Sequence, residues 1–127
     1  MSRGIIDQAL DYLADNSEVV NCTSQVSLTM TTGSSKTINA CYKYGNIVML
    51  DVSVSRGAAT SVGSNVFAGV LSPAAFRPIT RSFTSTYYSS TGLICQLDDS
   101  GNLTVRVTAA QLPANQSVRL CFLYLVN

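Results

Sequence analysis

The sequence predicts an all-β protein, an antiparallel β-sandwich or jelly roll preceded by one short amphipathic helix. After the first 18 residues, apolar and polar residues alternate with a period of two in run after run. Residues typical of turns separate these runs about every eight to twelve residues, which predicts about eight or nine strands. The chain shows neither an alternation of strand and helix patterns nor an internal repeat, which excludes a parallel α/β fold, a propeller and a solenoid.

The composition narrows the class of protein further. The chain has 127 residues, enough for one domain with a single core. Only 12% of the residues are charged, and the formal net charge is +1 without a Lys/Arg cluster, so we expect no nucleic-acid partner. No segment approaches the roughly 18 apolar residues of a membrane span, and the N-terminus carries no signal-peptide pattern. We therefore expect no membrane insertion either.

The first expected element is a helix over roughly residues 5–15. At 100° per residue, one arc of this helix collects Ile5, Ile6, Ala9, Leu10, Tyr12 and Leu13. A helix of about three turns is marginal alone, so this arc must dock on its own domain or on sister copies in a trimeric bundle. We assign residues 1–18 to a trimerisation or docking segment, and residues 19–127 to the sandwich domain.

The strands that follow have clear inner and outer faces. The core-facing sets are Val48, Leu50, Val52 and Val54 in one strand, and Leu103, Val105 and Val107 in another. Between the predicted strands "LICQL" and "LTVRVTA", residues 98–102 ("DDSGN") form a predicted hairpin turn in which Gly101 and Asn102 tolerate a positive φ.

The last strand, residues 117–127, is apolar on both faces. One face holds Val118, Leu120, Phe122, Tyr124 and Val126, and most of the other holds Cys121, Leu123 and Leu125. A strand of an antiparallel sandwich normally exposes one of its two faces to water. Because both faces of this strand are apolar, we expect a second surface to cover it. That cover is either the N-terminal helix or a neighbouring copy of the chain.

Side chains that could act as catalytic acids, bases or nucleophiles are scarce. The sequence has no histidine, so neither a Ser/His/Asp nor a Cys/His arrangement is available. Asp98 and Asp99 belong to a predicted turn, and we interpret Asp51, midway along a strand, as a solvent-facing or rim carboxylate rather than a nucleophile. We therefore expect no enzymatic activity and no cofactor.

The four cysteines are interpreted as buried free thiols. They are widely spaced, at Cys22, Cys41, Cys95 and Cys121. This spacing and the missing secretion signal argue against a disulfide scaffold. Without histidine or a paired C-x-x-C motif, no metal site is expected.

The segment "RSFTSTYYSSTG", residues 81–92, contains the candidate ligand-binding residues Arg81, Tyr87 and Tyr88. The two adjacent tyrosines face opposite sides of a strand, so one of them lies outward or at an edge. A tyrosine ring beside an arginine and several hydroxyls suits a sugar ring. Alternatively, one tyrosine belongs to the core and the other lies on an ordinary β surface.

The segment "LSPAAFRPITRS", residues 71–82, predicts a stiff corner at Pro73, Phe76, Arg77 and Pro78. Each proline restricts its own φ and the residue before it, so we expect the chain to cross between sheets along a preset path. Phe76 is expected to plug the end of the sandwich, while Arg77 donates to carbonyl groups of neighbouring loops.

This corner resembles that of the C-terminal head domain of bacteriophage tail-tip proteins, the receptor-binding proteins of baseplates and tail fibres. Leu71, Pro73, Phe76, Arg77 and Pro78 match a Leu-x-Pro-x-x-aromatic-Arg-Pro corner, and Gly101, Asn102, Leu103 and Val105 match a later hairpin strand. The resemblance covers roughly residues 42–127, beginning with "YKYGNIVMLDVSV". It implies a homotrimer of jelly rolls on an N-terminal stalk that binds host-surface saccharides near the tip or between protomers.

The resulting hypothesis is a virion structural protein, the trimeric head of a tail-fibre or baseplate adhesin at the tail tip, made in the host cytoplasm. Its expected partners are other phage tail or fibre proteins and a host glycan. The alternative is a purely structural virion component, such as a collar, decoration or fibre-joining protein, without a glycan ligand. A trimeric jelly-roll signalling ligand is disfavoured by the corner, and a sandwich glycosidase by the shortage of acids.

Overall fold

The computed structural model describes residue 4 and residues 19–88 and 91–127. These residues form two antiparallel sheets, which confirms the predicted all-β sandwich. The predicted helix at residues 5–15 lies outside the described residues. Within the described ranges, no helix is long and apolar enough to cross a membrane.

The two sheets contain four and five strands. In spatial order, the four-stranded sheet consists of β1 (Val19–Asn21), β3 (Ser34–Tyr44), β4 (Ile47–Arg56) and β9 (Val118–Leu125). The five-stranded sheet consists of β2 (Ser27–Met30), β5 (Asn65–Ser72), β8 (Asn102–Val107), β7 (Thr91–Leu97) and β6 (Ser82–Tyr88). Two short 3₁₀ turns lie at Thr23–Gln25 and Ala74–Phe76.

The five-stranded sheet contains a Greek key. Strands β6, β7 and β8 follow one another as hairpins, and β5 lies beside β8, so the link from β5 to β6 must pass across the end of the sheet. On its way, the backbone N–H of Ile79 donates to the carbonyl of Leu125 at the end of β9, 3.0 Å away. The same side of the sandwich brings β6 against β9.

The core lies between the sheets and follows the predicted alternation. The inward side chains of β4, β8 and β9 are buried: Val48, Leu50, Val52, Val54, Leu103, Val105, Val107, Val118, Leu120, Phe122 and Tyr124. Burying each such aliphatic side chain contributes roughly 1.5 to 3 kcal/mol. The predicted core faces of these three strands are therefore confirmed.

The corner at residues 71–78 joins two strands of one sheet. The prediction that it carries the chain between sheets is therefore wrong, because β5 and β6 belong to the same Greek key. Phe76 is buried, and its carbonyl accepts a hydrogen bond from the hydroxyl of Tyr124 at 2.6 Å. Arg77 Nε donates to the carbonyl of Leu71 at 2.8 Å, so this guanidinium closes the corner on itself.

Gly101 completes this end of the sandwich. Its carbonyl accepts the N–H of Leu71 at 2.8 Å, and its φ is +82°. A Cβ at this position would lie 2.5 Å from Arg77 Nε and 2.6 Å from the carbonyl oxygen of Leu71. Both the backbone conformation and the close approach therefore require glycine.

The outer face of the four-stranded sheet holds an ion pair between a buried carboxylate, Asp51, and a largely exposed arginine, Arg119. Asp51 is only 6% exposed, so the expectation of a solvent-facing carboxylate is wrong. Arg119 Nε donates to both of its oxygens at 2.9 and 3.0 Å, and Asn39 Nδ2 donates at 3.1 Å. These hydrogen bonds, with that from Arg119 the strongest, lower the pKa of the Asp51 carboxyl below its usual value.

Three of the four cysteines are buried, as predicted, but Cys121 is exposed on the outer face of β9. The interpretation of all four as buried thiols is therefore wrong for Cys121, because β9 turns this residue away from the core. Burial raises the pKa of Cys95 to about 12, and burial together with the nearby Cys22 raises that of Cys41 to about 11.

Candidate functional site

The outer face of the five-stranded sheet presents two cross-strand rows of side chains. The first row is Phe83, Gln96 and Thr104, and the second is Ser85, Ile94 and Arg106. These positions point outward because the alternate residues of β7 and β8 are buried in the core. Phe83 is 62% exposed and Ile94 is 48% exposed. Aromatic and aliphatic surfaces therefore stand beside amide, hydroxyl and guanidinium groups on one face.

Three connected cavities run along this face, and we call them together the outer groove. The central cavity, of about 460 Å³, is lined by Ile94, Gln96, Thr104 and Arg106. It shares Thr104 with a cavity of about 550 Å³ over β2, β5 and β8, and shares Ile94 and Arg106 with one of about 230 Å³ beside Gly63. The three cavities share lining residues, so together they extend over β2, β5, β8 and β7 on this face.

The larger end of the groove depends on a close approach between strands. Its lining is Thr29, Met30, Thr31, Gly69, Val70, Asp98, Asn102, Leu103 and Thr104. A Cβ on Gly69 would lie 2.6 Å from the sulfur of Met30 and 3.3 Å from the carbonyl of Thr29. Met30 lies on the same side of β2 as the buried Leu28 and packs against the core, so glycine at this position makes room for the Met30 side chain beneath this end of the groove.

The groove has a negative charge, Asp98, at its larger end and a positive charge, Arg106, in its central cavity. Asp98 accepts hydrogen bonds from the backbone N–H groups of Ser100 and Asn102 and from the Asn102 amide, at 2.8 to 3.2 Å. Burial acts to raise the pKa of Asp98, but these hydrogen bonds and the charge of Arg81 lower it overall. The central cavity has no acidic lining residue among those described, and Arg106 supplies its positive charge.

The predicted binding residues do not converge. Arg81 is exposed just before β6, while Tyr87 and Tyr88 pair with Gly92 and Thr91 at the other end of that strand. Six residues of extended chain separate Arg81 from Tyr87 by about 20 Å. A single sugar ring therefore does not span the predicted trio, although β6 pairs with β7, whose residues Ile94 and Gln96 line the groove.

Four residues of this face were missed by the sequence reasoning: Phe83, Ile94, Gln96 and Arg106. A signal for Ile94 was present, because its neighbours Leu93 and Cys95 are also apolar and β7 therefore has apolar residues on both faces. The last strand, β9, carries the same pattern. Arg106 lies between the predicted core residues Val105 and Val107, so strand parity places it outward, but parity does not show its neighbours across the sheet.

Two of the three side-chain carboxylates of the described residues are engaged in structural contacts, and the third, Asp99, is exposed in a turn. Asp51 is bound by Arg119 and Asn39, and Asp98 stabilises its own turn. No group of three His, Cys, Asp or Glu side chains suited to a metal ion occurs among the described residues.

The chain matches no protein-family model, no curated protein and no solved structure. Its function is therefore argued from its own residues and geometry.

Proposed function

We propose that this chain is the head of a phage tail-fibre or baseplate adhesin, a virion protein of the tail tip that binds a host-surface saccharide without catalysis. The outer groove carries this proposal. It places the exposed Phe83 ring beside Gln96 and opens next to Arg106, so a stacking surface and hydrogen-bonding groups lie on one face. The finer fold that belongs to this proposal is a jelly roll carried on an N-terminal helix within residues 1–18.

The chemistry of the groove suits a sugar. The C–H face of a pyranose packs against an aromatic ring, as Phe83 offers, while sugar hydroxyls need both donors and acceptors. The Gln96 amide and the Thr104 hydroxyl supply both kinds of group, and the Arg106 guanidinium supplies donors in a fixed plane. The groove, which extends over several strands, fits an extended oligosaccharide better than a compact enclosed ligand.

Binding through such a groove gains from repetition. A shallow site gives modest affinity, and three or more copies on one particle raise the effective concentration of the unbound sites. The homotrimer and the attachment to other tail or fibre proteins belong to this proposal. The preset corner with Phe76, Arg77 and Pro78, which resembles the corner of phage heads, supports the same assignment.

A purely structural virion role is the second candidate. The observation in its favour is the apolar outer face of the four-stranded sheet, where Leu123 is 69% exposed and Leu125 is 53% exposed. Such a face suits a protein partner rather than a sugar. A collar, decoration or fibre-joining protein would use this face and leave the outer groove empty.

Binding to a glycan array and to host cells separates the two candidates. We expect Phe83→Ala and Arg106→Gln each to weaken binding about tenfold, the effect of losing roughly 1.4 kcal/mol from a stacking or charged contact. Ile79→Ala is the matched control, because Ile79 is 41% exposed but lies at the corner, away from the groove. Tyr87→Ala and Tyr88→Ala test the site predicted from the sequence.

Each outcome decides between the candidates. If wild-type protein binds and neither groove variant weakens binding, the outer groove is not the site. If no glycan or host cell binds the trimer, the structural role replaces the adhesin. Hydrolysis of any bound polysaccharide would overturn the assignment as a protein without catalytic activity.

A further inference from the structure

The outer face of the four-stranded sheet carries an apolar surface that no other described residue covers. It consists of two cross-strand rows on β3, β4 and β9: Tyr44, Ile47 and Leu125, then Tyr42, Met49 and Leu123. We call these six residues the apolar face. Leu123 is 69% exposed, Leu125 53% and Ile47 41%. Contiguous apolar residues at such exposure mark an interaction surface.

The charge distribution favours contact with an identical copy. None of the six residues is charged, and Asp51 and Arg119, in the next rows along the same face, neutralise each other. Two copies brought together here would therefore meet no like-charge repulsion. An apolar centre rich in aromatic residues and methionine, with a polar rim, is the usual anatomy of a protein interface.

The outer face of the sheet supplies more than half of the area that a standard interface needs. Three strands about 4.8 Å apart and about ten residues long present roughly 14 by 34 Å, or about 500 Å² in projection. A standard interface buries about 800 Å² per partner. The apolar face would supply the dry centre, while the polar end of the same strands, with Asn39 and Ser53, would supply part of the rim.

We propose that copies of this chain meet through the apolar face, with Leu123 and Leu125 of β9 nearest the symmetry axis. The number of copies rests on the proposed trimeric head, but the choice of face rests on the described residues alone. The outer groove belongs to the opposite sheet, so it stays open to solvent when the copies assemble.

Cys121 provides a built-in reporter for this contact. It lies on the outer side of β9, two residues from Leu123, and is exposed in the single chain, whereas Cys22, Cys41 and Cys95 are buried. Assembly through the apolar face would cover its thiol. Alkylation of Cys121 should therefore slow at least tenfold as the full-length chain passes from the dissociated to the assembled state.

Light scattering with a matched pair of variants tests the face. We expect the wild-type chain to have a trimer mass and Leu123→Glu to have a monomer mass. Ile94→Glu should keep the trimer mass, because Ile94 is also an exposed apolar residue but lies on the other sheet. The alkylation rate of Cys121 in the wild-type chain, followed against protein concentration, needs no substitution and decides the question even if Leu123→Glu fails to fold.

The outcomes separate this inference from the proposed function. A trimer that survives Leu123→Glu and leaves Cys121 reactive overturns the apolar face and leaves the adhesin intact. A wild-type monomer overturns the inference too, and protection of Cys121 in that monomer would identify residues 5–15 as the cover. Assembly through the face in a protein that binds no saccharide would sustain this inference and overturn the adhesin.

Discussion

The outer faces of the two sheets differ sharply, although their inner faces are alike. Both sheets send valine and leucine into one shared core. On its outer face, the four-stranded sheet exposes large apolar side chains such as Leu123 beside the ion pair of Asp51 and Arg119. The outer face of the five-stranded sheet instead has a groove lined by Gln96, Thr104 and Arg106. Core packing therefore does not dictate the outer surfaces, and each outer face is free to serve a different contact.

The difference between the two outer faces arises from the connections at the ends of the strands. The five-stranded sheet includes the Greek key, and its turn at Asp98–Gly101 forms one end of the groove beside the corner. Among the described residues, the four-stranded sheet contains no Greek key of its own. Its long strands β3 and β4 therefore present a broad surface that only another molecule or residues outside the described ranges can cover.

The largest expected effect concerns the end of the sandwich that shapes the groove. Gly101→Ala should lower the free energy of unfolding by about 3 to 4 kcal/mol, because it combines a strained φ with a clash against Arg77 and Leu71. Gly33→Ala is the control: its φ is +89°, but nothing lies within 4 Å of an added Cβ, so about 1 kcal/mol is expected. Urea unfolding measures both. Equal losses would show that the close approach at Gly101 contributes nothing.

The next effect distinguishes the inner from the outer face of the four-stranded sheet. Tyr124→Phe should cost about 1 to 2 kcal/mol, since it leaves the carbonyl of Phe76 without its buried donor. Tyr42→Phe on the outer face should change the free energy of unfolding by less than about 0.5 kcal/mol. Thermal and urea unfolding at equal protein concentration provide the comparison. A neutral Tyr124→Phe would mean that the corner does not depend on β9.

A smaller, pH-dependent effect tests the ion pair at the border of the apolar face. Asp51→Asn should cost about 1 kcal/mol at pH 7, a value kept low because the Arg119 side chain is largely exposed to solvent. The pKa of Asp51 is lowered in the folded state, so its contribution is present above the unfolded pKa of about 3.9 and is lost as the pH falls through the folded value.

Unfolding measured between pH 7 and pH 2 should therefore show a smaller acid-induced loss in Asp51→Asn than in the wild-type chain. Asp99→Asn is the control, since Asp99 is exposed in the turn. A wild-type pH profile unchanged by Asp51→Asn would show that the pair does not contribute to stability.

The smallest effect concerns two buried thiols, one on the inner face of each sheet. It is measured as alkylation of the thiols and not as a change in the free energy of unfolding. Cys41 lies in the four-stranded sheet and Cys95 in the five-stranded sheet, and burial raises both pKa values, to about 11 and about 12. Both thiols should resist iodoacetamide in the native protein at pH 8, because the thiolate reacts and the thiol does not. Mass spectrometry of the alkylated protein should find these sites modified only after unfolding. Rapid native alkylation of either would show that its sheet opens locally.

The alternation of β4, β8 and β9 was sufficient to predict the sandwich and its core faces, because side-chain direction in a strand depends only on parity. The position of a residue in this alternation does not show which residues lie beside it on the neighbouring strands. Asp51 and Arg119 are separated by 68 residues and meet only because β4 pairs with β9. For the same reason, Arg81 and Tyr87 looked like neighbours in the sequence, although an extended strand holds them apart.

The sequence by itself determined that the chain forms strands, which side of most strands is buried, and that residues 73–78 form a stiff corner. These properties follow from the period of hydrophobicity and from the fixed φ of proline, both of which are local. Only the tertiary structure decided that the corner closes a Greek key, that Asp51 is paired, and that Phe83 lies across from Gln96, which lines one cavity with Arg106. Those outcomes depend on strand order and register, which bring together residues that are distant in the chain.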